Sequence, residues 1–293
     1  MKKIDHRPSV VLTGALLAVI ALAGLITIAR LSTDSVGDQT PTGQQTPLTD
    51  TVPAVQLPGT AAPAQANPAP MEDPLLSAGT VTRQDCQLPA WSDNPNYVKV
   101  FVLVALGCLN NAWQPVLTGL HVPFEPAQVE LTGDVTTMDC GRPPERNSFY
   151  CDGTIFLVPE SYLGTSAGPA SIPAAAVSML AHEYGHHLQH LAGTLAESTT
   201  RITAAGRRSA AGLELARRVE LQAQCLSGMF MGAAFDPPSI ELARQDNFLR
   251  GDSAGADPDH GTPQNFGTWF MTGVTRNVLQ ECDTWTASPE AVR

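Results

Sequence analysis

The chain has 293 residues and a formal charge of −11, and from Thr80 onward thirteen lysines and arginines face twenty-two aspartates and glutamates. That acidic balance argues against nucleic acid and against close adsorption on anionic lipid as partners. The stretch 80–293 is ample for one domain of ordinary size.

Val10 to Ala29 is a run of twenty uncharged, largely apolar residues preceded by Lys2, Lys3 and Arg7. A helix of that length crosses the roughly 30 Å hydrocarbon core of a bilayer. The basic flank keeps residues 1–9 cytoplasmic and exports the chain beyond the apolar run. A cleaved signal peptide is the rival reading, but its apolar region usually spans only about 7–15 residues before a small-x-small site. Ile28-Ala29-Arg30-Leu31 offers no such site, and no cysteine precedes Cys86 to take a lipid. The expectation is a single-pass anchor at 10–29, with the remainder extracytoplasmic at the cell membrane. Residues 30–79 are rich in Pro, Thr, Gln and Ala without periodicity. Such a segment buries too little apolar surface to offset its ordering entropy, and is expected to be a disordered linker.

Within 80–293, Asn96–Thr118 carries Val98, Phe101, Val102, Ala105, Leu109, Ala112, Trp113 and Val116 at helical spacing, although Val98–Val104 alone also fits a strand. Gln128–Thr132 and Phe149–Val158 read as strands, the second ending at Pro159. Ser171 as N-cap, Pro173 in the first turn and Gly193 as stop bracket a helix, with Val177, Ala181, Tyr184, Leu188 and Leu191 as its apolar stripe. A Ser/Thr-rich connection follows, then helices from about Ser209 to Phe235 and from about Pro263 to Leu279. The fold class expected is α+β, mainly helical, with a small sheet. Six cysteines, an even number, all lie beyond the anchor and linker, which agrees with export. Spacing favours Cys140 with Cys151, Cys86 with Cys108, and Cys225 with Cys282, out of fifteen possible pairings. A free thiol at Cys225 is the weaker option, and without a C-x-x-C pair a cysteine metal site is discounted.

The bracketed helix contains His182-Glu183-Tyr184-Gly185-His186. Residues i and i+4 lie on one helix face, so both imidazoles can reach one metal ion, and Glu183 beside the first can deprotonate a metal-bound water. This is the H-E-x-x-H arrangement of zinc sites, and zinc is the cofactor expected. His182, Glu183 and His186 flank the apolar stripe and so belong to a cleft wall; His187 and His190 fall off that register. A tetrahedral catalytic zinc needs a third protein ligand. The continuation H-E-x-x-H-x-x-G-x-x-H is excluded, because Gln189 and Ala192 stand where Gly and His are required. The other solution is a Glu from a later helix: Glu220 first, with Glu214 and Glu197 behind it. On spacing alone, Glu220 reads equally well as a surface carboxylate paired with Arg217 or Arg218.

With these residues in view, the sequence resembles a family, the neutral zinc metallopeptidases of bacteria. The resemblance is carried by Asp139-Cys140-Gly141, Phe149-Tyr150-Cys151, Thr154-Ile155-Phe156-Leu157, Ala181 to Gln189, Arg218-Val219-Glu220-Leu221-Gln222-Ala223, and His260-Gly261-Thr262-Pro263 with Trp269-Phe270. It implies a zincin-like domain at 80–293 and makes Glu220 the third metal ligand beside His182 and His186. Glu183 becomes the general base of peptide-bond hydrolysis by a zinc-activated water. His260 becomes the candidate oxyanion donor, with Tyr150 second, and protein or peptide becomes the substrate class. By analogy with zincins, Thr154–Leu157 would be the edge strand along which substrate lies. One position departs from the family pattern: Gln224 stands where an Asp is typical. A carboxylate there would support a zinc-binding imidazole, and losing such support can cost about 10–100-fold in metal affinity or activity. The alternative reading is therefore a weak or inactive zinc-containing homologue acting as an envelope binding or scaffolding module.

Overall fold

The computed structural model describes residues 71–77, 79–132, 140, 147–163 and 168–293, all within the compact unit Gln65–Arg293. The anchor expected at 10–29 lies outside the described residues, as does most of the 30–79 linker.

Helix α1 spans Pro95–Gly119, capped by Asn94, whose side chain accepts from the Asn96 N–H. Its inner face buries Phe101, Val102, Ala105, Leu109, Trp113 and Leu117. Among the described helices it is the one long and apolar enough to cross a membrane. Its inner face is part of the main core, and the Cys86–Cys108 disulfide ties the entering chain to it.

Three short strands follow: β1 (Gln128–Glu130), β2 (Phe149–Cys151) and β3 (Thr154–Phe156), in the order β1-β3-β2. The expected strand Phe149–Val158 is instead a hairpin, broken at Asp152 (φ 40°) and Gly153 (φ 85°). An Asp-Gly pair suits a two-residue turn with both φ positive. β3 is parallel to β1 and antiparallel to β2. Thr154–Phe156 is therefore the central strand, not an edge, and its hydrogen-bonding groups are taken on both sides.

The remaining described chain is helical: α2 (Glu160–Leu163), α3 (Ile172–Leu191), α4 (Thr194–Ala205), α5 (Ala210–Ala234), α6 (Pro237–Asn247) and α7 (Pro263–Arg276). α3 and α5 match the sequence expectation closely, and Ser209 caps α5 by accepting from the Gly212 N–H. Ser171 occupies the N-cap of α3 but gives its hydroxyl to the Gly168 carbonyl, because a 3-10 turn runs directly into the helix. α4 replaces the expected Ser/Thr-rich connection. Its hydroxyls fold back onto carbonyls four residues earlier, as in Thr199 to Leu195 and Thr200 to Ala196, which removes their competition with the helix backbone. α6 was not anticipated, although Asp236 caps it through the Ser239 N–H and Pro237 opens it. α7 stops three residues short of Leu279, where Asn277 turns left-handed (φ 49°).

Two helix contacts position the site. A Cβ on Gly185 would lie 2.8 Å from both the Cα and the carbonyl oxygen of Ala223, so only glycine lets α3 cross α5 this closely. On the other face of α5, Gly228 meets the Phe270 carbonyl and Gly273 of α7 meets the Cys225 carbonyl. The disulfides Cys225–Cys282 and Cys140–Cys151 complete the three pairings that spacing favoured. Each removes freedom from the unfolded chain.

Described residues on the N-terminal side of position 80 pack against the helices as well. Leu75 is fully buried. The Asp73 carboxylate accepts from the Leu75 N–H, Thr194 Oγ1, Gln222 Nε2 and Trp285 Nε1. Met71–Leu76 sits at the end of a long polar window whose average composition hides one short capped turn.

Candidate metal centre

The H-E-x-x-H residues sit in the middle of α3, where His182, Glu183 and His186 are all buried. Glu220 lies on α5 across the Gly185–Ala223 crossing. His182 Nε2 and His186 Nε2 each lie 3.2 Å from Glu220 Oε2, and ligand atoms of all three come within 4.8 Å of one another. Two ligands about 2.0–2.1 Å from a tetrahedral zinc are about 3.3 Å apart, so the two His–Glu separations match edges of such a site. Nδ1 of each imidazole is already engaged, by Gln224 Oε1 (2.9 Å) and Gln189 Oε1 (2.9 Å). That leaves both Nε2 atoms facing Glu220. The donor set of two imidazoles and a carboxylate fits zinc.

The competing partners of Glu220 are occupied elsewhere. Arg218 pairs with Glu214 and reaches the carbonyls of Thr284, Trp285 and Ala287; Arg217 donates to the carbonyls of Val292 and Pro258. The other two carboxylates weighed as ligands are thereby placed: Glu214 holds Arg218, and Glu197 holds Arg201 on exposed α4.

His260 reaches the group from the loop between α6 and α7, with Nε2 3.7 Å from Glu220 Oε2. Its backbone N–H donates to Asp252 Oδ1, and its Nδ1–H donates to Asp259 Oδ1 at 2.6 Å. Tyr150 does not join the group. His187 Nε2 donates to the Glu125 carbonyl, so its Nδ1 accepts from the Tyr150 hydroxyl, which also accepts from the Gly153 N–H. His187 thus fastens α3 to the sheet and the loop before β1, and His190 is exposed.

Electrostatically, the metal-free site is a carboxylate among imidazoles. Burial pushes Glu220 up, yet His186, His260 and His182 outweigh it and hold the carboxyl well below its ordinary range. Burial lowers His186, but the Glu220 charge prevails and holds it at about 9. The same charge, against burial, raises His260 to about 10. Burial lifts Glu183 above the carboxylate range against the pull of His182 and His186.

His182, Glu183 and His260 line a cleft of about 660 Å³ together with Asn147, Ser148, Met179, Arg250, Asp252 and Phe266. Sequence reasoning located His182, Glu183, His186, Glu220 and His260, all of which converge here. The supporting roles of Asn247, Gln222, Asp259, Asp73 and Gln189 were not recognised from the sequence. Asn247 lies on the unanticipated α6; Asp259 was legible as the neighbour of His260.

No solved structure matches the chain. An uncharacterized protein of Mycobacterium tuberculosis is 27% identical over 231 residues, covering 67% of this chain and 74% of its own. The uncharacterized protein YpfJ of Escherichia coli K12 is 25% identical over 230 residues, covering 72% of this chain and 79% of its own. A family model described as "Putative neutral zinc metallopeptidase" matches residues 75–285, and with the converging His, His and Glu side chains this makes the chain a member of that zinc metallopeptidase family.

Proposed function

We propose that this chain is a zinc-dependent peptidase with a zincin-like catalytic domain, held at the outer face of the cell membrane by residues 10–29. The observation that carries the reading is the convergence of His182 Nε2 and His186 Nε2 on one oxygen of Glu220, each at 3.2 Å, with Glu183 in the cleft beside them. His182, His186 and Glu220 would hold the ion. When bound, zinc supplies Lewis acidity, polarising a substrate carbonyl and making a water acidic near neutral pH.

The protein's own groups handle protons and charge. Glu183, raised by burial, holds a proton more readily than an ordinary carboxyl, which suits it to take one and return it to the leaving amine. His260, with Nε2 3.7 Å from Glu220 Oε2, would donate to the developing oxyanion. The Asp259 carboxylate on Nδ1 keeps that ring oriented. Three disulfides support an extracytoplasmic location. With Thr154–Phe156 paired on both sides, Asn147 and Ser148, which line the cleft just before the edge strand β2, are where an extended peptide would lie.

The test is cleavage of broad peptide libraries by the zinc-loaded full chain in detergent, compared with Glu183→Gln. Loss of general-base help should lower turnover by roughly 10²–10⁴-fold with zinc content unchanged. Equal absence of cleavage in both proteins, each carrying zinc, would favour the binding or scaffolding module instead.

A further inference from the structure

Both imidazoles of the metal centre are held from behind by a carboxamide. This differs from a carboxylate in one respect: an amide has an accepting end and a donating end. Turned round, the Gln224 amide would offer its NH₂ to His182 Nδ1. The ring would then have to accept there and carry its proton on Nε2, facing the metal position. The orientation of this amide is therefore a condition for the site.

That orientation can be read from a fixed end. The Ala243 carbonyl can only accept, and Asn247 Nδ2 donates to it at 2.8 Å and to Ser178 Oγ at 2.9 Å. Asn247 Oδ1 is thereby turned to Gln224 Nε2 at 2.5 Å. With its NH₂ spent there, Gln224 presents Oε1 to His182 Nδ1 at 2.9 Å. Gln224, Asn247 and Ser178 are all buried, so a flipped amide would face like groups with no water to compensate. Gln189, behind His186, is fixed by a shorter route. Its Nε2 donates to the Val219 carbonyl (2.9 Å) and to Gln222 Oε1 (2.8 Å), and Gln222 Nε2 donates in turn to Asp73.

We propose that Asn247 is a positioning residue of the metal centre: by fixing the Gln224 amide it locks His182 with the proton on Nδ1 and the lone pair on Nε2 toward the ion. This rests on the zinc reading of the site. Asn247 reaches the metal only through two side chains, from a helix that supplies no ligand. Its role exists because residue 224 is an amide. A carboxylate accepts through either oxygen and needs no anchor.

That asymmetry supplies the experiment. Zinc affinity is measured by competition with a chromogenic chelator on the full chain in detergent, for wild type, Asn247→Leu, Gln224→Glu and the double variant. Asn247→Leu is expected to weaken zinc binding by about 10-fold or more in the wild-type background, within the range for lost outer partners, and by less than about 3-fold beside Gln224→Glu. The same loss in both backgrounds, or no loss in either, would overturn the proposal and leave Asn247 a structural residue. Should Asn247→Leu not fold, Asn247→Ser takes its place in both backgrounds and is read against the same two limits. Wild type that binds no zinc would instead remove the reading on which the proposal rests.

Discussion

The two walls of the cleft are built differently. One is the α3–α5 crossing, where His182, Glu183, His186 and Glu220 are set on rigid helices and the two histidines are backed by Gln224 and Gln189. The other is the Arg250–Thr262 loop before α7, which carries His260 with a side chain 45% exposed and three glycines at positive φ, Gly251, Gly255 and Gly261. A metal tolerates little error in ligand position, so the ligands belong to helices packed against each other. A group that acts only as charge develops can stand on a loop. On the proposed function, metal affinity rests on the helical wall alone, while turnover draws on both walls, through Glu183 on α3 and His260 on the loop.

The strongest way to break this division is to remove a ligand. Glu220→Ala should weaken zinc binding by more than the roughly 100-fold that a lost outer partner can cost, read by chelator competition. Retained affinity would take Glu220 out of the ligand set. On the loop wall, His260→Ala should lower turnover by roughly 10²–10³-fold, the scale of a lost oxyanion donor, while zinc affinity stays near wild type. A parallel fall in both would erase the distinction between the walls.

Proton linkage sharpens the helical side. In the metal-free site His186 is held at about 9, so at neutral pH it carries a proton that must leave before it can bind an ion. The raised value means the competing proton is bound below about 9 and lost above it. Apparent zinc affinity should therefore rise about tenfold per pH unit through the neutral range and level off above about pH 9. A flat profile would show that His186 is uncharged in the metal-free protein. The mildest perturbation is Gly185→Ala. Its Cβ would meet the Ala223 backbone at 2.8 Å, and the overpacking should cost about 1–3 kcal/mol in unfolding free energy. A neutral result in thermal melts would mean that the two helices can separate without loss.

The same contrast explains what could be read from sequence. α3, α5 and the His182, Glu183 and His186 constellation were legible because periodicity, caps and the i, i+4 relation are local. Glu220 needed the family blocks, because 38 residues separate it from His182 and nothing in its own window distinguishes a ligand from a surface carboxylate. The hairpin was legible in Asp152-Gly153, a turn pair outweighed by the aromatic and β-branched residues on either side of it. α4 looked like a connection because Ser and Thr favour caps and turns, until their hydroxyls bond back along the helix. Asn247 and Asp73 had no local signal. They act through side-chain contacts spanning 23 and 149 residues, which only the folded chain brings together.

Whether His182, His186 and Glu220 hold one ion can be read from X-ray absorption at the zinc edge of the full chain. Nitrogen and oxygen neighbours are expected at about 2.0–2.1 Å, with the scattering signature of two imidazoles falling to one in His186→Ala. Sulfur at about 2.3 Å, or folded protein that retains no zinc, would rule out this ligand set.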